Sequence, residues 1–85
     1  MFINKGINGE NNICGKNVTK YRKNMGLSQR QLADRLQLLG LDVDKNAIQR
    51  IEAGKRFVTD IEIVFLSKAL RTTVNQLLGI PDTGE

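Results

Sequence analysis

The sequence predicts an all-α fold, a bundle of five short helices around one core. Three observations support this prediction. Apolar residues recur at the three- and four-residue spacing of amphipathic helices. Ser, Thr or Asp stands before four of the five helical segments, where helix N-caps belong, and Gly follows four of the five. No segment alternates polar and apolar residues in the manner of a strand.

The first two helices lie between residues 16 and 40. One face of the first carries Val18, Tyr21, Arg22 and Met25. This helix ends near Gly26. Ser28 and Gln31 have the spacing of a capping box and begin the second helix, which closes at Gly40.

A third helix, over residues 45–53, follows an unusually apolar connection. Asp44 is placed to cap it and Gly54 to stop it. The apolar residues before it are Leu38, Leu39, Leu41 and Val43. Because this segment is too apolar for a free loop, we expect the second helix to run on for a turn and the connection to pack back against the core.

Two further capping boxes begin the last two helices. Thr59 with Glu62 opens the fourth, and Thr73 with Gln76 opens a short fifth helix that ends at Gly79. The resulting domain covers residues 16–80. It is preceded by residues 1–15, which are rich in Asn and Gly and are expected to form a mobile arm, and followed by a tail of residues 81–85.

Composition argues against several classes of function. The 85 residues include no His and one Cys, so they cannot supply the usual imidazole base, an intrachain disulfide or a thiolate zinc cage. Asp34, Asp42 and Asp44 are better explained as solvated or capping groups than as a metal cluster. We therefore expect no enzyme activity, no metal and no cofactor. Neither a signal sequence nor a membrane span is predicted, which favours the cytoplasm.

The net charge of +4 is unevenly distributed. Residues 1–15 are neutral, residues 16–56 carry a net charge of +6, and residues 57–85 carry −2. A basic block of this kind suits a surface that faces nucleic acid. Ordinary solvated helix charge explains it equally well when charge is the only evidence.

The third helix has an outer face without acidic residues. On a helical wheel, Ile48 and Ile51 point inward, and the opposite arc holds Lys45, Asn46, Gln49, Arg50 and Ala53. Arg and Lys suit the O6 and N7 atoms of guanine, and Asn and Gln suit the N6 and N7 atoms of adenine. The alternative is a solvated polar face, but the flanking Lys55 and Arg56 favour DNA.

Two opposite charges fall on inward faces, Arg22 on the first helix and Glu52 on the third. Such charges are costly to bury unless they meet, so we predict a bidentate ion pair between them. The alternative is that both long side chains reach solvent separately.

These residues together resemble the helix-turn-helix DNA-binding domains of the phage repressor and Cro type, which are also common among bacterial regulators. The resemblance covers about residues 16–79. It is carried by Arg22, Gly26-Leu27-Ser28-Gln29, Leu32-Ala33, Ile48, Ile51-Glu52, Gly54-Lys55 and Ala69-Leu70. It implies a lambda-repressor-like fold in which the Arg of the first helix pairs with the Glu of the recognition helix.

The resemblance also implies roles in DNA binding. Base contacts fall to Lys45, Asn46, Gln49 and Arg50. Phosphate contacts fall to Gln29, Lys55 and Arg56; the helix N-terminus at Gln29 favours an anion on physical grounds as well. One departure is that the connection of residues 37–44 is about five residues longer than the family pattern, which affects the angle of the third helix in the groove.

The fourth helix is more apolar than one buried face requires. We expect Ile61 and Ala69 to be buried. Val64, Phe65, Leu78 and Ile80 either pack within the chain or form the contacts of a homodimer, and the sequence favours neither alternative. Symmetric helix-turn-helix dimers read two half-sites, because one short helix touches few base pairs.

Two hypotheses of function follow. The first is a sequence-specific regulator of transcription, with repression as the expected outcome and double-stranded DNA as the partner. The second is a protein-interaction module, such as an antitoxin-like or adaptor subunit, in which apolar residues of the fourth and fifth helices hold a regulatory protein partner.

Overall fold

The computed structural model describes residues 9–81, so residues 1–8 of the predicted arm and residues 82–85 of the predicted tail lie outside the described residues. The described part of the chain contains five helices and no strand. They are α1 (Gly15–Asn24), α2 (Gln29–Leu39), α3 (Lys45–Glu52), α4 (Asp60–Ala69) and α5 (Val74–Leu78). This architecture confirms the predicted all-α bundle.

Local side-chain caps explain where the helices begin. The Ser28 hydroxyl accepts from the Gln31 backbone N–H at 3.0 Å, and the Gln31 side chain accepts from the Ser28 N–H at 2.8 Å. The same reciprocal capping box begins α4 and α5. Each box satisfies two backbone donors that would otherwise lack a partner in the first turn.

The core is formed by the inward face of every helix. Its members are nearly inaccessible to solvent, including Val18 from α1, Leu32 and Leu36 from α2, Ile48 and Ile51 from α3, Leu66 from α4 and Leu77 from α5. Ile63 of α4 and Leu70, which follows this helix, lie in the same buried cluster. Ala69 is buried, as expected.

Ile61 differs from the expectation, because 64% of its surface is exposed. It stands in the first turn of α4, and residues 9–81 leave it largely uncovered. The surplus apolar character of α4 is therefore partly on the outside.

The connection between α2 and α3 packs back only in part. Gly40 adopts φ 110°, which turns the chain and lets the Leu41 N–H reach the Leu36 carbonyl at 2.9 Å. Val43 is then buried, and the Gln37 amide donates to its carbonyl at 2.7 Å. Contrary to expectation, Leu38 is 89% exposed and Leu39 is 45% exposed, because the added turn of α2 extends past the core.

Leu32 and Leu38 provide a matched test of this packing, because they are the same residue type on the same helix. We expect Leu32→Ala to lower the free energy of unfolding by about 2–5 kcal/mol, since it opens a cavity in the core. Leu38→Ala removes a solvated side chain and should change it by less than about 0.5 kcal/mol. Urea denaturation of both variants measures the difference, and equal losses would contradict the described burial.

Candidate nucleic-acid interface

Helix α3 is fixed by contacts at its start and along its inner face. The Asp44 carboxylate accepts from the Ala47 N–H at 2.8 Å and caps the N-terminus. Ile48 and Ile51 are buried between α1 and α2, the two helices that α3 packs against. One face of α3 is thereby committed to the core and the other faces solvent.

The outer face of α3 presents hydrogen-bonding side chains that no described residue engages. Its exposed residues are Lys45, Asn46, Gln49, Arg50 and Ala53. Among residues 9–81, none of the four polar side chains makes a hydrogen bond or an ion pair. Their donors and acceptors are therefore open to an external ligand. The exposed Asp44 stands just before this face, but its carboxylate is engaged with the helix N-terminus.

The structure brings Arg22 and Glu52 together in a bidentate ion pair. Arg22 donates from Nε to Glu52 Oε2 at 2.6 Å and from Nη2 to Oε1 at 3.0 Å. Its remaining Nη1 donates to the Leu27 carbonyl at 2.8 Å. The Gln29 amide also donates to Glu52 Oε1, at 3.0 Å. Glu52 therefore connects the end of α3 to α1 and to the start of α2.

The charged form of Glu52 is favoured by these partners. Burial alone would raise the pKa of this carboxyl, but hydrogen bonds from Arg22 and Gln29, together with the charge of Arg22, lower its pKa below the ordinary value of 4.5. Glu52 is consequently an anion at neutral pH and a full partner for the guanidinium.

The three candidate phosphate contacts have different surroundings. Lys55 is exposed just beyond α3. Gln29 lies at the N-terminus of α2, where free backbone N–H groups favour an anion, although its amide nitrogen is engaged with Glu52.

Arg56, the third expected phosphate contact, has its guanidinium bound within the protein. It donates to Glu62 at 3.0 and 2.9 Å, and hydrogen bonds from Arg56 lower the pKa of Glu62 despite the opposing effect of burial. The structure thus uses Arg56 to hold the start of α4. The ion pair was not predicted from the sequence, because the capping box with Thr59 already explained the position of Glu62.

Residues 10–12 lie against the end of α3. The Asn11 N–H donates to the Gly54 carbonyl at 2.8 Å, and the Asn11 amide donates to the Lys55 carbonyl at 3.0 Å. The Asn12 amide donates to the carbonyls of Ile51 and Arg56 at 3.1 and 2.8 Å. Sequence analysis missed these contacts, because an Asn-rich segment without a period carries no sign of its tertiary partners.

The four candidate dimer residues lie at the surface to different degrees. Val64 is 42% exposed and Ile80 is 47% exposed, whereas Phe65 and Leu78 are half-buried and pack against the core. With Ile61, they leave an apolar surface on α4 and after α5.

The carboxylate and thiol side chains of residues 9–81 are the groups that could take part in metal or thiol chemistry. No group of three or more carboxylate or thiol side chains in this part of the chain could hold a metal ion. Burial raises the pKa of the Cys14 thiol to about 11, which keeps it protonated. Each helix in the same residues is also too short or too polar to cross a lipid bilayer.

The chain is similar to known proteins in sequence and in fold. The helix-turn-helix family model HTH_3 matches residues 18–77, which include α2 to α4, all but the first three residues of α1 and all but the last residue of α5. No curated protein matches the chain. The restriction-modification controller protein C.AhdI from Aeromonas hydrophila is 28% identical, with a TM-score of 0.66 over 75% of this chain and 86% of its own.

A second solved structure shares the fold. A hypothetical transcription factor, NHTF, from Neisseria is 19% identical and has a TM-score of 0.71 over 98% of this chain and 94% of its own.

The Arg22–Glu52 pair can be tested by a double-mutant cycle. Glu52→Ala should lower the free energy of unfolding by about 3–5 kcal/mol, because it leaves the Arg22 charge buried without its partner. Once Arg22 is already Ala, the same change should cost much less. Thermal melts of the single and double variants measure the coupling, and additive losses would show that the pair contributes nothing. The more exposed Arg56–Glu62 pair is the control, with a smaller expected coupling.

Proposed function

The chain belongs to the HTH_3 helix-turn-helix family of DNA-binding transcription regulators, and we propose that it binds double-stranded DNA sequence-specifically with α3 in the major groove. The observation that supports this most is the outer face of α3. Lys45, Asn46, Gln49 and Arg50 are all exposed on this face. These side chains match the hydrogen-bonding groups of base edges in the major groove.

The surroundings of α3 support the same proposal. Lys55 and the N-terminus of α2 at Gln29 would contact phosphates, which set register and affinity, whereas α3 would supply the sequence preference. The likeness to a restriction-modification controller protein supports a regulatory role. We further propose that the protein represses transcription, because a bound protein blocks other proteins from the same DNA. We also propose that it acts on DNA in the bacterial cytoplasm. The proposal assigns the chain no catalysis.

Gel shifts of the wild-type protein with genomic fragments at two salt concentrations should show a preferred duplex whose binding weakens steeply with salt.

Two cationic side chains should affect this binding in different ways. Arg50→Ala should then cost about 1–3 kcal/mol of binding and relax preference at one base pair. Lys55→Ala should weaken binding to all duplexes alike and reduce the salt slope by about 1.

A matched control is Arg71→Ala, which removes the same charge from an exposed position just after α4. It should leave DNA binding unchanged. Equal affinity for every fragment would exclude sequence specificity, and identical losses from Arg50→Ala and Lys55→Ala on all DNA would contradict the assigned roles.

We also propose a homodimer through Val64, Phe65, Leu78 and Ile80. The exposed apolar surface on α4 supports it, and so does the charge pattern along this helix. Asp60 and Lys68 lie four residues to either side of Val64 and are both exposed. In an antiparallel contact centred on Val64, each acidic start of α4 would therefore meet the basic end of the other α4. A regulatory protein partner on the same surface is the second candidate function.

The dimer can be tested by sedimentation equilibrium. The wild type should show about twice the chain mass of 9.5 kDa, and Val64→Asp should reduce it to one chain mass, because a charge is placed in the apolar contact. Leu38→Asp is the control, since Leu38 is equally apolar and still more exposed but lies on α2. A monomeric wild type that binds a host protein through Val64 would favour the second candidate instead.

A further inference from the structure

The loop that carries Lys55 is held by three anchors. Gly54 follows α3 with φ 75°, and the Lys55 N–H returns to the Arg50 carbonyl at 2.9 Å. This arrangement ends α3 in the manner of a Schellman motif. On the other side, Arg56 is tied to Glu62 by two hydrogen bonds. The third anchor comes from outside the segment matched by the family model, from residues 11 and 12.

Asn11 and Asn12 donate to three consecutive backbone carbonyls of this loop, those of residues 54–56. The carbonyls of Gly54 and Lys55 accept from the backbone N–H and the side-chain amide of Asn11, and the carbonyl of Arg56 accepts from the Asn12 amide. The same Asn12 amide also reaches the Ile51 carbonyl inside α3. We name these contacts of residues 11 and 12 the asparagine clasp.

Asn12 joins two helix ends at once. While its amide nitrogen donates to the end of α3, its Oδ1 accepts from the Gly15 N–H at 2.8 Å at the start of α1. A Cβ on Gly15 would collide with the Ile51 carbonyl oxygen, so the backbones of α1 and α3 meet closely here. The clasp therefore ties the loop to the start of α1 as well as to the end of α3.

We propose that the asparagine clasp positions Lys55 for its contact with a DNA phosphate, with Asn12 and Asn11 acting as positioning residues. This inference rests on the proposed function. A lysine on an unrestrained loop must lose backbone freedom when it binds, which reduces affinity. With the loop carbonyls already bonded, that freedom is removed before DNA arrives. The clasp acts through Lys55 and makes no contact with DNA itself.

The test combines Asn12→Ala with Lys55→Ala in a double-mutant cycle of DNA affinity. Affinity for one duplex, the preferred genomic fragment, is measured across a salt series at a temperature where circular dichroism shows every variant to be folded. Asn12→Ala should weaken binding several-fold and reduce the salt slope by up to about 0.9, the value of one phosphate contact. In the Lys55→Ala background, Asn12→Ala should change affinity by less than about twofold, within the error of additivity.

Asn17→Ala is the matched control. Asn17 also uses its amide to donate to a backbone carbonyl across the fold, to Leu77 at 3.0 Å, but it joins α1 to α5 and not to α3. It should lower the melting temperature without changing affinity or the salt slope. A purely structural role for Asn12 would make the two variants behave alike in DNA binding.

Asn11→Ala covers the case in which Asn12→Ala does not fold. It removes only the side-chain bond to the Lys55 carbonyl and keeps the backbone bond to Gly54. It should show a smaller loss of affinity that likewise disappears in the Lys55→Ala background.

The outcomes separate the clasp from the proposed function. If Lys55→Ala does not weaken binding, the proposed phosphate contact of Lys55 is wrong, and the proposed positioning role of the asparagine clasp is wrong as well. If Lys55→Ala weakens binding while Asn11→Ala and a folded Asn12→Ala leave affinity and salt slope unchanged, the positioning role alone is overturned. A loss from either Asn variant that adds fully to the loss from Lys55→Ala would also overturn it.

Discussion

The arrangement of the helices depends on the hydrogen bonds that the Glu52 carboxylate accepts. Glu52 is the last residue of α3, and its carboxylate accepts two hydrogen bonds from Arg22 of α1 and a third from Gln29 at the start of α2. A desolvated carboxylate is costly unless such donors surround it, and here they fix its position as well. Because Arg22 also holds the Leu27 carbonyl, the turn between α1 and α2 belongs to the same network.

This network explains how so short a helix can present a defined face. Helix α3 has eight residues, too few to be stable alone in water. Its start is capped by Asp44, its inner face is buried through Ile48 and Ile51, and its end is held by Glu52. The outer side chains therefore project from a rigid support, which is the condition for reading base edges with fixed geometry.

Much of the fold could be predicted because its signals are local. A capping box such as Ser28 with Gln31 depends on residues three apart, and the start of α2 follows from it directly. The partnership of Arg22 and Glu52 was also accessible, since an unpaired charge on an apolar face needs an opposite charge. The exposed outer face of α3 followed from helical periodicity alone.

The features that escaped prediction depend on tertiary contacts without a periodic signal. The resemblance gave Arg56 a phosphate contact, and its ion pair with Glu62 was not predicted, because Glu62 comes within reach only once the loop folds. Leu38 was expected to pack because it is apolar, but the added turn of α2 carries it beyond the core. Asn11 and Asn12 have ordinary loop composition, and only the meeting of α1 with α3 gives their amides partners.

The proposed function depends on recognition of a DNA sequence by the outer face of α3. Selection of bound sites from a pool of random duplexes by the purified full chain tests this recognition most directly. We expect an enriched consensus made of two inverted half-sites, with centres about 10 base pairs or a multiple of one helical turn apart. A bound pool with no consensus beyond that of the starting pool would contradict it.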